Sequence, residues 1–194
     1  ARGGVTIFLS IVGLGLLIFV HELGHFVASL GLGMRPRKFY VGFPPALAKV
    51  SHRGIEYGIG AIPLGGFVKI PGMHRPAPSD ADVAFTRAVD EYPALSGPVA
   101  RLRIALADGD HDAARGALRE VEELVEARPT LSEPAQRAAE RGLADIGDAL
   151  GPDAYWRAAT WKRVVAIAAG PGANILLALA LFTVLFMTAA GRVT

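Results

Sequence analysis

His21-Glu22-Leu23-Gly24-His25 sets two imidazoles four residues apart with a carboxylate between them. On a helix, positions i and i+4 share a face, so both rings can reach one zinc ion. Glu22 then stands beside them as a base for bound water. The same pattern occurs by chance in soluble helices. Its surroundings here are unusual, because Val5 to Leu32 reads VTIFLSIVGLGLLIFV-HELGH-FVASLGL and holds no other ionisable side chain. An apolar run of about 18 residues or more is long enough to cross a bilayer. Ionisable groups inside such a run are costly and mark a functional site by default. With no cysteine in the chain, a metal there must be held by imidazole, carboxylate and water.

Two long apolar segments must position this triad. The first runs roughly from Thr6 to Gly31. The second runs from about Val164 to Ala190, with Trp161, Lys162 and Arg163 at its entrance. Trp belongs at the headgroup level, and Lys or Arg mark the cytoplasmic flank of a span. Arg35, Arg37 and Lys38 follow the first segment, whereas only Arg2 precedes it. Both basic ends face the intervening loop, which places residues 35–163 in the cytoplasm and both termini outside it. His21 lies 16 residues past Val5, about 24 Å along a helix. In a hydrocarbon core of about 30 Å, the metal would sit nearer the cytoplasmic face.

Between the spans the pattern changes twice. From Lys38 to Met73 the helical period disappears, and KFYVGF, ALAKV and IEYGIGAI read as short strands. Pro44-Pro45 and Ser51-His52-Arg53-Gly54 divide them. Ile55, Tyr57, Ile59 and Ala61 alternate with Glu56, Gly58 and Gly60, and Pro63-Leu64-Gly65-Gly66 turns the chain into FVKI. The alternative is a Gly-rich loop without ladder bonds. After a breaker-rich linker at Pro71–Pro78, helices are expected near Asp80–Tyr92, Pro98–Ala107, His111–Ala127 and Ser132–Leu150. Leu118, Val121, Leu124 and Val125 share one face of the third of these. Asp110 and Ser132 stand at N-cap positions, and Pro129 follows the third helix.

The net charge of +2 hides an uneven split. Of 18 acidic and 20 basic residues, 16 and 9 fall between Pro76 and Arg157, leaving 2 and 11 elsewhere. The reading is a membrane α-helical protein with two spanning helices, a small membrane-associated β-sheet and an inserted soluble, acidic helical bundle. Its parts are 1–34 with the HExxH sequence, 35–75 as sheet, 76–157 as the insertion, and 158–194 as the second span. Nothing in the composition calls for nucleic acid.

HELGH in a membrane helix, VGFPPAL, EYGIGAIPLGGFVKIPGM and TWKRVVAIAAGPGANILLA together resemble the bacterial site-2 proteases, a family of intramembrane zinc metalloproteases. The resemblance covers residues 5–74 and 160–190. It implies zinc bound by His21 and His25, Glu22 as general base and acid, and a single-span membrane protein as substrate. It also implies that the strands, Gly65 and Gly66 among them, receive unwound substrate by strand pairing. Gly170-Pro171-Gly172-Ala173-Asn174 resembles the family's GPxxN stretch, where Asn174 would support the site or its substrate. The cell inner membrane is the implied location, with the chain crossing it more than once.

Two departures stand out. The family's aspartate ligand lies in an LDG-type motif on a later helix, and this sequence has none. The chain therefore reads as the N-terminal half of a longer enzyme, beyond which a PDZ domain often follows. The segment 76–157 is also far longer than the usual linker, so it is either a regulatory, partner-binding insertion or a spacer. An inactive membrane scaffold that binds a partner through this insertion is the competing reading. A soluble zincin is a third, and it requires both spans to be misread. His52 and His74 read as solvated, and His111 as support for a helix cap. Asn174 could equally serve helix–helix hydrogen bonding.

Overall fold

The computed structural model describes residues 2–127 and 131–190, so Pro129 lies outside the described residues. They divide into two compact units, Pro71–Ala158 and the remainder.

The unit that holds both ends of the sequence consists of two long helices and a sheet. Helix α1 spans Arg2–Gly31, starting four residues before the expected Thr6. A second long helix, α6, spans Thr160–Ala190 and carries Pro171 within it. Both are long and apolar enough to cross a membrane. Of their most apolar stretches, 0% of α1 and 11% of α6 is buried within the protein. The core helix of a soluble protein would be mostly covered, so the soluble zincin reading loses its support. Helix α1 ends where Gly33 takes a left-handed φ of 86° and Met34 N–H closes back on the Ser29 carbonyl at 2.9 Å. Lys162 at the head of α6 donates to the Leu32 carbonyl at 3.2 Å, placing a cation at the negative end of α1.

The sheet consists of two antiparallel strands, β1 at Lys38–His52 and β2 at Ile55–Lys69. The expected short strands are thus joined into two of 15 residues each. Pro44 and Pro45 do not end β1, because the pairing passes from Phe43 to Ala46 and asks neither proline for a donor. The hairpin closes on Arg53 and Gly54, both at positive φ (52° and 79°), the geometry favoured for a two-residue loop. Residues 38–41 are used twice, paired with 56–59 on one side and with 66–69 on the other. This doubling places β2 on both sides of the start of β1.

Phe26 of α1 packs with Phe39 and Ile55 of the sheet, and Val41, Tyr57 and Val68 close the cluster. The Phe26 and Phe39 rings meet edge-on at 5.1 Å. Tyr40 O–H donates to Glu56 at 2.7 Å, and Lys38 approaches the same carboxylate at 3.1 Å. Tyr40 is buried as well, its ring stacked on that of Phe67 with centroids 5.0 Å apart. Farther along the hairpin Ile59 is exposed together with Phe43, Leu47 and Leu64.

Among the described residues the other unit holds four α-helices: α2 (Pro78–Glu91), α3 (Ser96–Asp108), α4 (His111–Glu126) and α5 (Glu133–Leu150). Their boundaries fall within two residues of those expected. Phe85, Leu95, Leu102, Val121 and Leu150 are fully buried at the centre. Asp110 accepts from Asp112 and Ala113 N–H at 3.1 and 3.0 Å, and Ser132 accepts from Ala135 N–H, as N-caps do. Glu91 accepts from both the N–H and the hydroxyl of Ser132, tying the end of α2 to the start of α5.

His111 plays no part in the cap. Its ring lies 5.3 Å from that of Trp156 instead, since Asp110 already serves the free N–H groups. Burial, and then the positive charges of Arg157, Arg75 and Arg115, hold its imidazole below the usual range, with Asp110 opposing them. His52 is exposed at the end of β1, and His74 is exposed beside Asp80 at 3.3 Å.

Residues 71–158 expressed alone should melt cooperatively. Phe85→Ala should cost about 3–5 kcal/mol, read by thermal or denaturant unfolding. His111 binds its proton more weakly when folded, so acid favours the unfolded chain. Stability should be full above the unfolded pKa near 6.5 and fall as pH drops below it. His111→Gln should flatten the slope between neutral pH and about pH 5.5, followed as the melting temperature.

Candidate metal centre

Helical spacing puts His21 and His25 on one face of α1, with ring centroids 4.8 Å apart. Their Nε2 atoms face each other at 3.2 Å. The other nitrogen of each ring is held by α6. His25 Nδ1 lies 2.8 Å from the Ala166 carbonyl, which can only accept. Nδ1 of His25 therefore carries the proton, and Nε2 presents its lone pair. His21 Nδ1 meets the Asn174 side-chain amide nitrogen at 3.4 Å, while Asn174 Oδ1 is buried with no partner among the described residues.

A metal ion resolves this arrangement. Two nitrogens bound to one tetrahedral zinc at about 2.0–2.1 Å stand about 3.3 Å apart, close to the spacing seen. With both Nε2 lone pairs turned inward, His21 Nδ1 becomes a donor and needs an acceptor. Rotating the Asn174 amide by half a turn supplies Oδ1 and removes the orphan. The donor set thus fits a borderline-soft divalent cation. Among the described residues no third His, Asp or Glu completes a ligand group.

Small residues make the approach possible. A Cβ on Gly170 would collide with His25 Nε2 and stand 2.8 Å from His21 Nε2. One on Gly24, the fourth residue of HELGH, would stand 2.5 Å from the Ala169 carbonyl oxygen. Bare backbone at these two points lets α6 lie against the imidazoles. In the sequence Gly170 was legible only as part of the GPxxN-like stretch. Its place as the wall behind both nitrogens depends on how α1 and α6 cross, which spacing along the sequence does not reveal.

Glu22 points to the sheet. A Cβ on Gly66 would stand 2.8 Å from Glu22 Cγ and 2.6 Å from the Tyr40 carbonyl. Gly65 instead lies against the Phe43 ring, away from the triad. Glu22, Gly66, His21, His25 and Asn174 are thus gathered, and Gly65 is one residue removed.

A family model, peptidase family M50, matches residues 9–191. A provisionally named zinc metalloprotease from Chlamydia pneumoniae is 30% identical over 92% of this chain and 19% of that protein. A similarly named protein of Chlamydia trachomatis is 30% identical over 93% of this chain and 19% of its own length. The chloroplast membrane metalloprotease ARASP of Arabidopsis thaliana is 49% identical over 28% of this chain and 12% of that protein. The chain thus spans about a fifth of the length of the first two.

Gly170→Ala should push both imidazoles off their shared point. Zinc affinity should fall by about 10–100-fold, measured by competition with a chromogenic chelator, with helix content unchanged. Unaltered affinity would show that the nitrogens do not meet at the metal.

Proposed function

The chain belongs to peptidase family M50, the site-2 proteases, and on that premise we propose that it carries the catalytic half-site of an intramembrane zinc metalloendopeptidase. The single observation that carries the reading is the facing pair of Nε2 atoms at 3.2 Å, with His25 Nδ1 already committed to a carbonyl.

His21 and His25 would hold zinc through Nε2. Zinc, when bound, supplies a Lewis acid that brings water into nucleophilic form near neutral pH. Asn174 and the Ala166 carbonyl fix the two rings from behind. Glu22, free of the ligand set, takes a proton from water and returns it to the leaving amine. An Asp from a further membrane helix of the longer protein would be the third ligand.

The substrate would be a single-span membrane protein. Its peptide bonds are protected while helical, so the cleaved segment must be unwound. The sheet offers a place for it, because Gly66 leaves bare backbone beside Glu22. The exposed Phe43, Leu47, Ile59 and Leu64 would keep the distal sheet in contact with lipid. In this reading the protein crosses the inner membrane several times, with residues 35–163 cytoplasmic and both termini outside. The insertion at 76–157 would meet a regulatory partner.

In the full-length protein, Glu22→Gln should retain zinc and lower cleavage of a co-expressed single-span substrate by about 10²–10⁴-fold. Undiminished cleavage would sink the assignment and favour the scaffold. Asn174→Ala should weaken zinc binding by about 10–100-fold, whereas Asn174→Asp, which keeps an acceptor for His21, should lose less. Proline at Val68 would remove a ladder donor opposite Phe39 and should lower cleavage without lowering zinc content.

A further inference from the structure

We infer that the end of the helical bundle bearing Trp156, Arg75 and Arg157 is a docking surface for anionic lipid headgroups. The inference rests on the reading of α6 as a membrane span.

The chain enters and leaves the bundle at this end. Tyr155 N–H donates to the Pro71 carbonyl at 2.9 Å and Trp156 N–H to that of Gly72 at 3.0 Å, so entry and exit are bonded neighbours. Trp156 is fixed in place, its indole N–H donating to the Ala149 carbonyl at 2.8 Å. Two guanidinium groups lie over its ring, Arg157 at 4.9 Å and Arg75 at 5.8 Å from the centroid. Both arginines are exposed, and Met73 beside them is 55% exposed.

This combination suits one kind of surface. Tryptophan settles at the headgroup level, and a planar guanidinium pairs with phosphate oxygens two at a time. Four other arginines of the bundle meet carboxylates: Arg101 meets Glu120, Arg103 meets Asp82, Arg115 meets Asp112 and Arg137 meets Glu133. The bundle as a whole is acidic, so an anionic membrane repels its other faces and attracts this one. Positive potential here is also felt by His111, which Arg157, Arg75 and Arg115 all disfavour in its charged form. Only Ala158 and Ala159, three Cα–Cα steps, separate Arg157 from Thr160, the first residue of α6. Even fully extended they reach about 10 Å, so a span starting at Thr160 keeps Arg157 near the bilayer surface.

The test uses the whole chain in vesicles. Trp161→Phe leaves Trp156 as the sole tryptophan, and energy transfer from it to a dansyl-headgroup lipid reports docking. Transfer should be high in phosphatidylcholine containing phosphatidylglycerol, low in phosphatidylcholine alone, and reduced by salt. Each Arg→Gln change should lower the docked-to-undocked ratio about fivefold, and Arg75→Lys with Arg157→Lys should retain most of it. Circular-dichroism melting of each variant keeps a folding defect apart from a docking defect. Transfer that ignores both lipid charge and the two arginines would overturn the inference, because tethering alone would then explain it. A carbonate wash tests the span separately. A chain that resists the wash while Trp156 ignores lipid charge refutes docking alone, and a chain released by it refutes both.

Discussion

Two imidazole nitrogens held 3.2 Å apart between apolar helices repel one another unless a proton or a cation lies between them. The rest of the unit that holds both long helices can be understood as the means of holding that contact. Ala166 fixes the tautomer of one ring and Asn174 backs the other, both from α6. Gly24 and Gly170 let α6 come close enough to do so. In a segment without water, each polar atom must find its partner within the protein. A site of this kind is therefore specified by the second helix as much as by the first.

The sheet answers a different demand. In the proposed mechanism the carboxylate that moves protons stands beside the ligands without joining them, and Glu22 is turned by helical geometry toward β2. Seating the sheet there requires an anchor, which Phe26, Phe39 and Ile55 provide. The doubled pairing of residues 38–41 then braces the strand that bears Gly66 against the one that bears Tyr40. The same arrangement leaves the far half of the sheet without a core.

The triad was legible because HExxH encodes its own geometry, and the N-caps at Asp110 and Ser132 because capping is a local effect. Helix boundaries in the bundle were readable for the same reason. What could not be read was long-range. Proline at 44 and 45 ordinarily ends a strand, and only the register shows that no donor is needed there. His111 sits next to a cap, yet its partner Trp156 is 45 residues further along the chain. The supporting contact of Asn174 with His21 spans 153 residues, and nothing in either stretch alone announces it. Spacing reports what one element can do, and crossing angles decide which elements do it together.

The hydrogen bonds between Pro71–Gly72 and Tyr155–Trp156 close the bundle into a loop with adjoining ends. An inserted body of that form asks only that its two attachment points lie close together, whatever its own size. It can be lengthened, exchanged or pared away over evolutionary time without respacing the helices that bring the two imidazoles and Asn174 together. Modularity of this kind allows a conserved reaction to be fitted with different soluble attachments. Selection can then act on the attachment and leave the chemistry undisturbed.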